Sequence, residues 1–314
     1  MSADWQHRPV AGHLAMLLFS ALVAGSFSLG AMAAPFVDPA ALSTLRFLIA
    51  GVLVGAAAFA SGKLQRSAFH APWRYVVLGG MLAVYFVLMF EGLKTAAPVS
   101  TSAVFTLTPL MAAAFGWLLL RQITTRRMAL ALGVGAVGAV WVIFRADFQA
   151  LSGFRIGQGE WIYFWGCIAH ALYTPMIRRL NRGEPAVVFT FGMMIAGFLG
   201  LLAWSWPAIL ATDWAALPPV VWVTLAYISV AASSITFVLL QFATMRLPSA
   251  KVMAYTYLTP TWVILWEVAQ NRPAPPALIL PGIGLTILAL WLLLKDESTP
   301  SVAKEPCENQ RQGT

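Results

Sequence analysis

Charge is what this sequence has least of: Asp, Glu, Lys and Arg make up 10% of 314 residues, against 60% hydrophobic. Soluble domains carry about 25% charged residues, so a water-covered globule is excluded. Cysteine is nearly absent. Cys167 lies in an apolar run and Cys307 in a polar tail, contexts that fit neither a disulfide with each other nor a metal site. The four histidines, His7, His13, His70 and His170, supply no zinc pair at helix spacing, and neither a G-x-S-x-G elbow nor a paired aspartate motif occurs. Hydrolytic and metal-dependent chemistry therefore has no residues to carry it, and neither enzyme activity nor a cofactor is expected.

What the sequence does have is apolar length, with a mean hydropathy of +0.76. A bilayer-spanning helix needs about 20 largely apolar residues. Ten segments qualify, at about 14–34, 39–60, 73–94, 97–119, 127–144, 159–178, 186–206, 219–243, 248–269 and 277–295. The first is read as a retained helix, since the apolar core of a signal peptide cleaved at "AMAAPF" would be shorter. The tail from Asp296, "DESTPSVAKEPCENQRQGT", lacks apolar periodicity and is expected to be disordered.

The net charge of +8 comes from short basic clusters between the apolar runs. A nucleic-acid ligand would call for one continuous basic stripe, so none is expected. The clusters report topology instead. With the N-terminus inside, about fifteen of the 20 basic residues fall on the cytoplasmic side, as the positive-inside rule requires. Both termini are then cytoplasmic, in a bacterial inner membrane.

The second half repeats the first. At an offset of about 151, Leu107, Thr108 and Pro109 fall on Leu258, Thr259 and Pro260, and Arg121 on Arg272; at about 146, Pro39, Thr44 and Ile49–Ala50–Gly51 fall on Pro185, Thr190 and Ile195–Ala196–Gly197. The change of offset implies about five extra residues in the second half, expected as a loop insertion near 207–218. Five spans per half is an odd number, so the halves enter the membrane in opposite senses. The loop holding Arg121, Arg126 and Arg127 is then inside and its counterpart with Arg272 outside. Inverted repeats are a transporter architecture, with substrate held near the midplane where the halves meet.

The ordered set "LSTLRFLIAG", "FTLTPL" with its basic loop and glycine-rich helix, "GEWIYFWGCIAHALYTPMIRRL" and "YLTPTWVILWE" resembles the EamA-like branch of the drug/metabolite transporter superfamily over about residues 13–295. The resemblance implies an all-α polytopic bundle in which spans 1–4 and 6–9 surround a cavity, with spans 5 and 10 peripheral. It also implies efflux of small metabolites, most often amino acids or related compounds. Two departures stand out. Arg121–Gln122 and Arg272–Pro273 replace a frequent "GE" pair, with a weakened cap expected, and His170 stands where tryptophan is usual. The expected organisation is a cytoplasmic segment 1–12, five-helix repeats at 13–145 and 157–295, and the tail 296–314. The expected partners are a small-molecule substrate, the lipid bilayer and, for a coupled carrier, protons; oligomeric state stays open. A drug or nucleotide-sugar carrier is the alternative, and a membrane-embedded enzyme a remote one.

Pro109 and Pro260 sit mid-span, where each removes a helix hydrogen bond and crowds a carbonyl, that of Phe105 or Thr256. Thr106, Thr108, Thr256 and Thr259 are positioned to satisfy the freed groups. Either a rigid kink or a bend that lines the cavity fits. Arg46 lies seven residues past Pro39, roughly 10 Å deep, where a charge costs about 2.5–3.5 kcal/mol and faces a partner or cavity. Glu91 or Glu267, near the same surface, is the expected partner, in a gate or a static pair. His170, about 15 Å into its span, is read as a proton or substrate group or as a packed histidine. Tyr173, Tyr255, Tyr257, Trp262 and Trp266 are candidate cavity walls. "GVGAVG", residues 133–138, has no preceding strand to make it a dinucleotide loop and is read as small-residue helix packing.

Overall fold

The protein is described here as a computed structural model covering residues 9–145, 147, 149, 150, 156–272 and 276–295. The expectations for residues 1–8, for Pro273 and for the tail from Asp296, Cys307 included, lie outside these residues. Among the described residues all regular structure is helical. The elements are α1 (Pro9–Ala33), α2 (Pro39–Ala60), α3 (Trp73–Leu93), α4 (Pro98–Phe105), α5 (Thr108–Leu120), α6 (Arg126–Ile143), α7 (Gln158–Leu180), α8 (Ala186–Ala211), α9 (Pro219–Ser229), α10 (Thr236–Thr244), α11 (Ser249–Ala254), α12 (Thr259–Ala269) and α13 (Leu280–Leu294). A π-helical turn, Val230–Ile235, joins α9 to α10, and a 3-10 turn, Tyr255–Leu258, joins α11 to α12. Eight helical stretches are long and apolar enough to cross a membrane, α4–α5 and α9–α10 each counting as one.

Local chemistry starts the helices where they start. Asp38 caps α2, its carboxylate accepting from Ala40 and Ala41 N–H at 2.9 Å, with Pro39 in the first turn; proline is preorganised there and has no N–H to lose. Pro98 and Pro219 open α4 and α9 in the same way. At the end of α5 the C-cap Arg121 takes a left-handed backbone, φ 51°, and its N–H still donates to Trp117 O while that of Gln122 donates to Gly116 O. The departure from glycine therefore keeps the cap geometry at a cost of about 1–2 kcal/mol in backbone strain. Gln122 takes on a further role, its Oε1 accepting from Ser249 N–H at the start of α11, 3.2 Å away.

Helix packing pairs the two halves. α2 lies along α8, α6 along α13, α3 against α7 and α8, and α1 against α10 and α12. Small residues set the closest approaches. A Cβ on Gly92 would sit 2.6 Å from Gly159 O, and one on Gly138 would sit 2.5 Å from Gly282 O, so α3–α7 and α6–α13 touch backbone to backbone. Gly135 likewise receives the ring of Tyr257. "GVGAVG" is thus a packing stripe, in which glycine substitutes for the absent hydrophobic drive between helices in lipid.

The element starts correct one expectation. α3 and α9 begin 146 residues apart, at Trp73 and Pro219, and α4 and α11 begin 151 apart, at Pro98 and Ser249. The five extra residues therefore lie inside a helix, not in the 207–218 loop: Trp73–Leu93 has 21 residues and Pro219–Thr244 has 26. The longer stretch also contains the π turn, which takes up an extra residue within the winding.

These contacts predict a matched pair of variants on α6. Gly138→Ala should lower stability by about 1–3 kcal/mol through overpacking, seen as a lower thermal midpoint of the detergent-solubilised protein. Gly133→Ala, with nothing within 4 Å of the added carbon, should leave the midpoint unchanged or raise it, alanine being the better helix former.

Candidate functional site

A small chamber lies where α1, α2, α3, α4, α7 and α10 converge. Its walls include Phe19, Ser26, Arg46, Tyr85, His170 and Thr236, and the space open to a water centre is about 10 Å³. That volume is at the threshold for one water, so this is a closed state. Rings make up half of the wall: His170 lies 4.5 Å from Tyr85 and 5.3 Å from Phe105, centroid to centroid.

Arg46 is fully buried and its partners correct the expected pairing. Its Nε donates to Ser233 Oγ at 2.6 Å and its Nη2 to Ala232 O at 2.7 Å. The guanidinium carbon stands 3.5 Å from the Phe86 ring centre. Neither glutamate reaches it. Glu91 pairs with Lys94 at the surface, 2.7 Å, and Glu267 with Arg272, 3.4 Å. The reason lies in the π turn. The backbone N–H groups that close the π turn at Thr236 bond to Ala231 O and Ser233 O, passing over Ala232 O, whose carbonyl accepts from Arg46. π turns recur at functional sites because the wider winding re-aims backbone groups. Within it, Ser234 Oγ donates to Ser229 O, five residues back. The run "ISVAASSIT", small and hydroxyl-bearing at mid-span, is the signal for this element that sequence reasoning passed over, along with Tyr85, Phe86 and Phe105.

Four side-chain atoms at the chamber have no protein partner: Arg46 Nη1, His170 Nδ1, Ser26 Oγ and Thr236 Oγ1. Buried polar groups are satisfied in the great majority of cases, so four together mark a place where something else supplies the partner. Just beyond the chamber, Tyr173 OH and Gln241 Nε2 both donate to Met193 Sδ at 3.4 Å.

The broken spans flank this chamber. Pro109 and Pro260 are the second residues of α5 and α12, so each restarts a helix, where proline is tolerated, and does not kink a continuous one. Thr106 Oγ1 donates to Ala103 O, Thr108 Oγ1 to Phe105 O and Thr256 Oγ1 to Met253 O; Thr259 Oγ1 has no partner. Three of the four expected threonines thus satisfy carbonyls near the breaks. Thr108 and Thr256 also meet across the two breaks at 3.3 Å.

Of the predicted site residues, the structure brings only Arg46 and His170 to the chamber wall among the described residues. Tyr255 bonds His13 through its hydroxyl, 3.0 Å. Tyr257 is buried against α6. Trp262 Nε1 donates to Ser20 Oγ at 3.3 Å, and Trp266 packs edge-on to Tyr227.

The bundle is sealed at both ends. At the Asp38 end, Ser100 Oγ donates to Glu160 Oε1 at 2.7 Å, Arg145 stands 3.8 Å from the same oxygen, and Tyr85 and Tyr163 share a 3.0 Å hydrogen bond. At the Arg74 end, Arg74 donates to Glu184 Oε1 and to Leu180 O at 2.7 Å each, with His70 O at 3.1 Å. One side chain so ties the loop before α3 to the loop after α7. Burial alone would raise the Glu184 carboxyl, but hydrogen bonds from Arg74 and the Arg182 backbone outweigh it and hold it below the ordinary carboxylate range.

The EamA-like transporter family matches at residues 10–144 and again at 158–295. The "Uncharacterized transporter YyaM" of Bacillus subtilis (strain 168) is 24% identical over 284 residues, spanning 90% of this chain and 92% of that one. A solved structure titled "Crystal structure of protein" superposes with a TM-score of 0.68 over 93% of this chain and 96% of its own, at 22% identity. That likeness speaks to fold alone.

A carboxylate held below its unfolded pKa stabilises the fold above that pKa, and the contribution is lost as pH falls through the folded value. Thermal midpoints should therefore drop as pH falls below the ordinary carboxylate range, and Glu184→Gln should flatten that part of the profile. At neutral pH Arg74→Ala should cost about 1–3 kcal/mol, since it removes the charged partner of a half-buried carboxylate and the donor to the Leu180 and His70 carbonyls.

Proposed function

The chain belongs to the EamA-like transporter family, and we propose that it is a ten-span carrier of small metabolites, exporting amino acids or related compounds by alternating access across the inner membrane. The observation that carries the reading is the closed chamber of unpartnered polar groups at the centre of an otherwise apolar helical bundle. A purely structural bundle has no reason to keep such groups, each of which costs about 1–3 kcal/mol when left unmade.

Ten spans arise when α7 and the broken stretch α11–α12 join the eight apolar ones. Inverted repeats are supported by the packing: α2 meets its counterpart α8, α6 meets α13, and the α3–α7 contact has its mirror in α10–α1. Breaks at Pro109 and Pro260 occupy equivalent places in the two halves. The positive-inside pattern puts the Arg74 end in the cytoplasm and the Asp38 end outside. Opening then alternates between the Arg74–Glu184 seal and the Ser100–Glu160 and Tyr85–Tyr163 seal. His170 is the chamber side chain whose ordinary pKa is nearest neutrality, which makes it our choice for the group that couples protons.

Reconstituted into proteoliposomes, the full chain should catalyse saturable counterflow of labelled amino acids or their derivatives. An imposed proton gradient should drive accumulation, and His170→Asn should abolish that gradient dependence while saturable counterflow, though weakened, remains. Flux that rises linearly with concentration, with no counterflow, would sink the carrier reading in favour of a channel.

A further inference from the structure

The chamber has a charge that nothing around it balances. Arg46 is fully buried, and its contacts are a serine hydroxyl, a backbone carbonyl and an aromatic face, all uncharged. Every acidic side chain among the described residues is engaged elsewhere. Glu91, Glu160, Glu184 and Glu267 pair with Lys94, Arg145, Arg74 and Arg272, and Asp38, Asp147 and Asp213 cap backbone N–H groups. A buried cation without a counter-ion is costly, and a guanidinium only donates. Its Nη1 is unpartnered at the chamber. The other three unpartnered groups, His170 Nδ1, Ser26 Oγ and Thr236 Oγ1, can each donate as well. A ring of donors around one fixed positive charge, walled by Phe19, Tyr85, Phe86, Phe105 and Phe237, is the complement of a carboxylate on an apolar body.

We infer that the cargo is bound as an anion, a small carboxylate with an apolar or aromatic side group and no charged nitrogen, held through Arg46. The inference rests on the carrier reading above and narrows it. An α-ammonium group would bring a second positive charge to within a few ångströms of Arg46 and find no carboxylate there. Deaminated or 2-hydroxy relatives of the apolar amino acids fit, and the zwitterions fit less well.

The test uses the purified full-length protein and four probes of one shape series: 3-phenyllactate, phenylalanine, phenylalaninol and phenylalaninamide. Ligand-induced thermal stabilisation in detergent gives affinities, and counterflow in proteoliposomes gives transport. 3-Phenyllactate should bind about tenfold or more tightly than phenylalanine, the range expected when the ammonium is desolvated without a partner, and the two amines weakest. Arg46→Gln should erase the order, whereas Arg46→Lys should retain it in weakened form. If the Arg46 variants do not fold, Ser26→Ala and Thr236→Val should each weaken 3-phenyllactate about threefold or more without improving the amines. An amine or the zwitterion binding as well as the anion overturns the inference, as does a preference that survives Arg46→Gln. Counterflow of the amines or zwitterion without anion preference would leave the carrier and remove the anion site. The predicted binding order with no counterflow of any probe would leave the anion site and remove the carrier. Neither binding nor counterflow by any probe overturns both.

Discussion

Much of this fold follows from keeping one guanidinium in an apolar bundle. Arg46 cannot face lipid at its depth, and no carboxylate is within reach, so the structure must present it with dipoles. A regular α-helix has none to spare, because each mid-helix carbonyl already accepts from the residue four positions on. The π turn at Val230–Ile235 answers that shortage by turning Ala232 O toward Arg46, with Ser233 Oγ beside it. The stretch that holds this turn, α9–α10, is also the one that is five residues longer than α3. Helix length, winding and buried charge are therefore one arrangement with three visible parts.

The polar groups that tie the ends are paired: caps at Asp38 and Asp213, the ion pair of Arg74 with Glu184, the contact of Ser100 with Glu160, while others outside the chamber, Glu267 Oε1 and the Gln270 amide among them, have no partner. At the centre the polar groups are left open, with Nη1 of Arg46, Nδ1 of His170 and two hydroxyls lacking partners. Paired ends make a closed state stable, and unpaired centres make it improvable by a ligand. A carrier needs both properties, since binding energy at the chamber must compete with the contacts that hold the ends shut.

The sequence was legible where physics acts locally. Apolar length located the helices, Pro39 marked the start of the second, and the Thr-Pro pairs located both breaks. It was illegible where the partner of a residue depends on winding. A search for Arg46's partner among charges finds Glu91 and Glu267, because only charges stand out against an apolar background. The true partners are an alanine carbonyl and a serine, and no side-chain pattern announces a carbonyl turned outward. The five-residue insertion was misplaced for the same reason: a shift in offset says that residues were gained between two blocks, and the eye assigns them to a loop, although loops are only the commonest place for them. Tyr255, Tyr257 and Trp262 were drawn toward the cavity by their chemistry, yet rotation about the α11–α12 stretch turns them to His13, Gly135 and Ser20 instead.

The two seals are chemically unlike, and this bears on how the bundle opens. At the Arg74 end a nearly water-free ion pair is reinforced by two loop carbonyls on the same guanidinium, so separation must expose a charge on each side at once. At the Asp38 end the closest contact is backbone to backbone at Gly92 and Gly159, backed by two tyrosine hydroxyls. Glycine contacts give way by sliding, because no side chain interlocks, whereas a buried ion pair gives way only when both partners are solvated or re-paired. On the alternating-access reading proposed above, opening at the Asp38 end uncovers one buried charge, Glu160, and opening at the Arg74 end uncovers a paired cation and anion together.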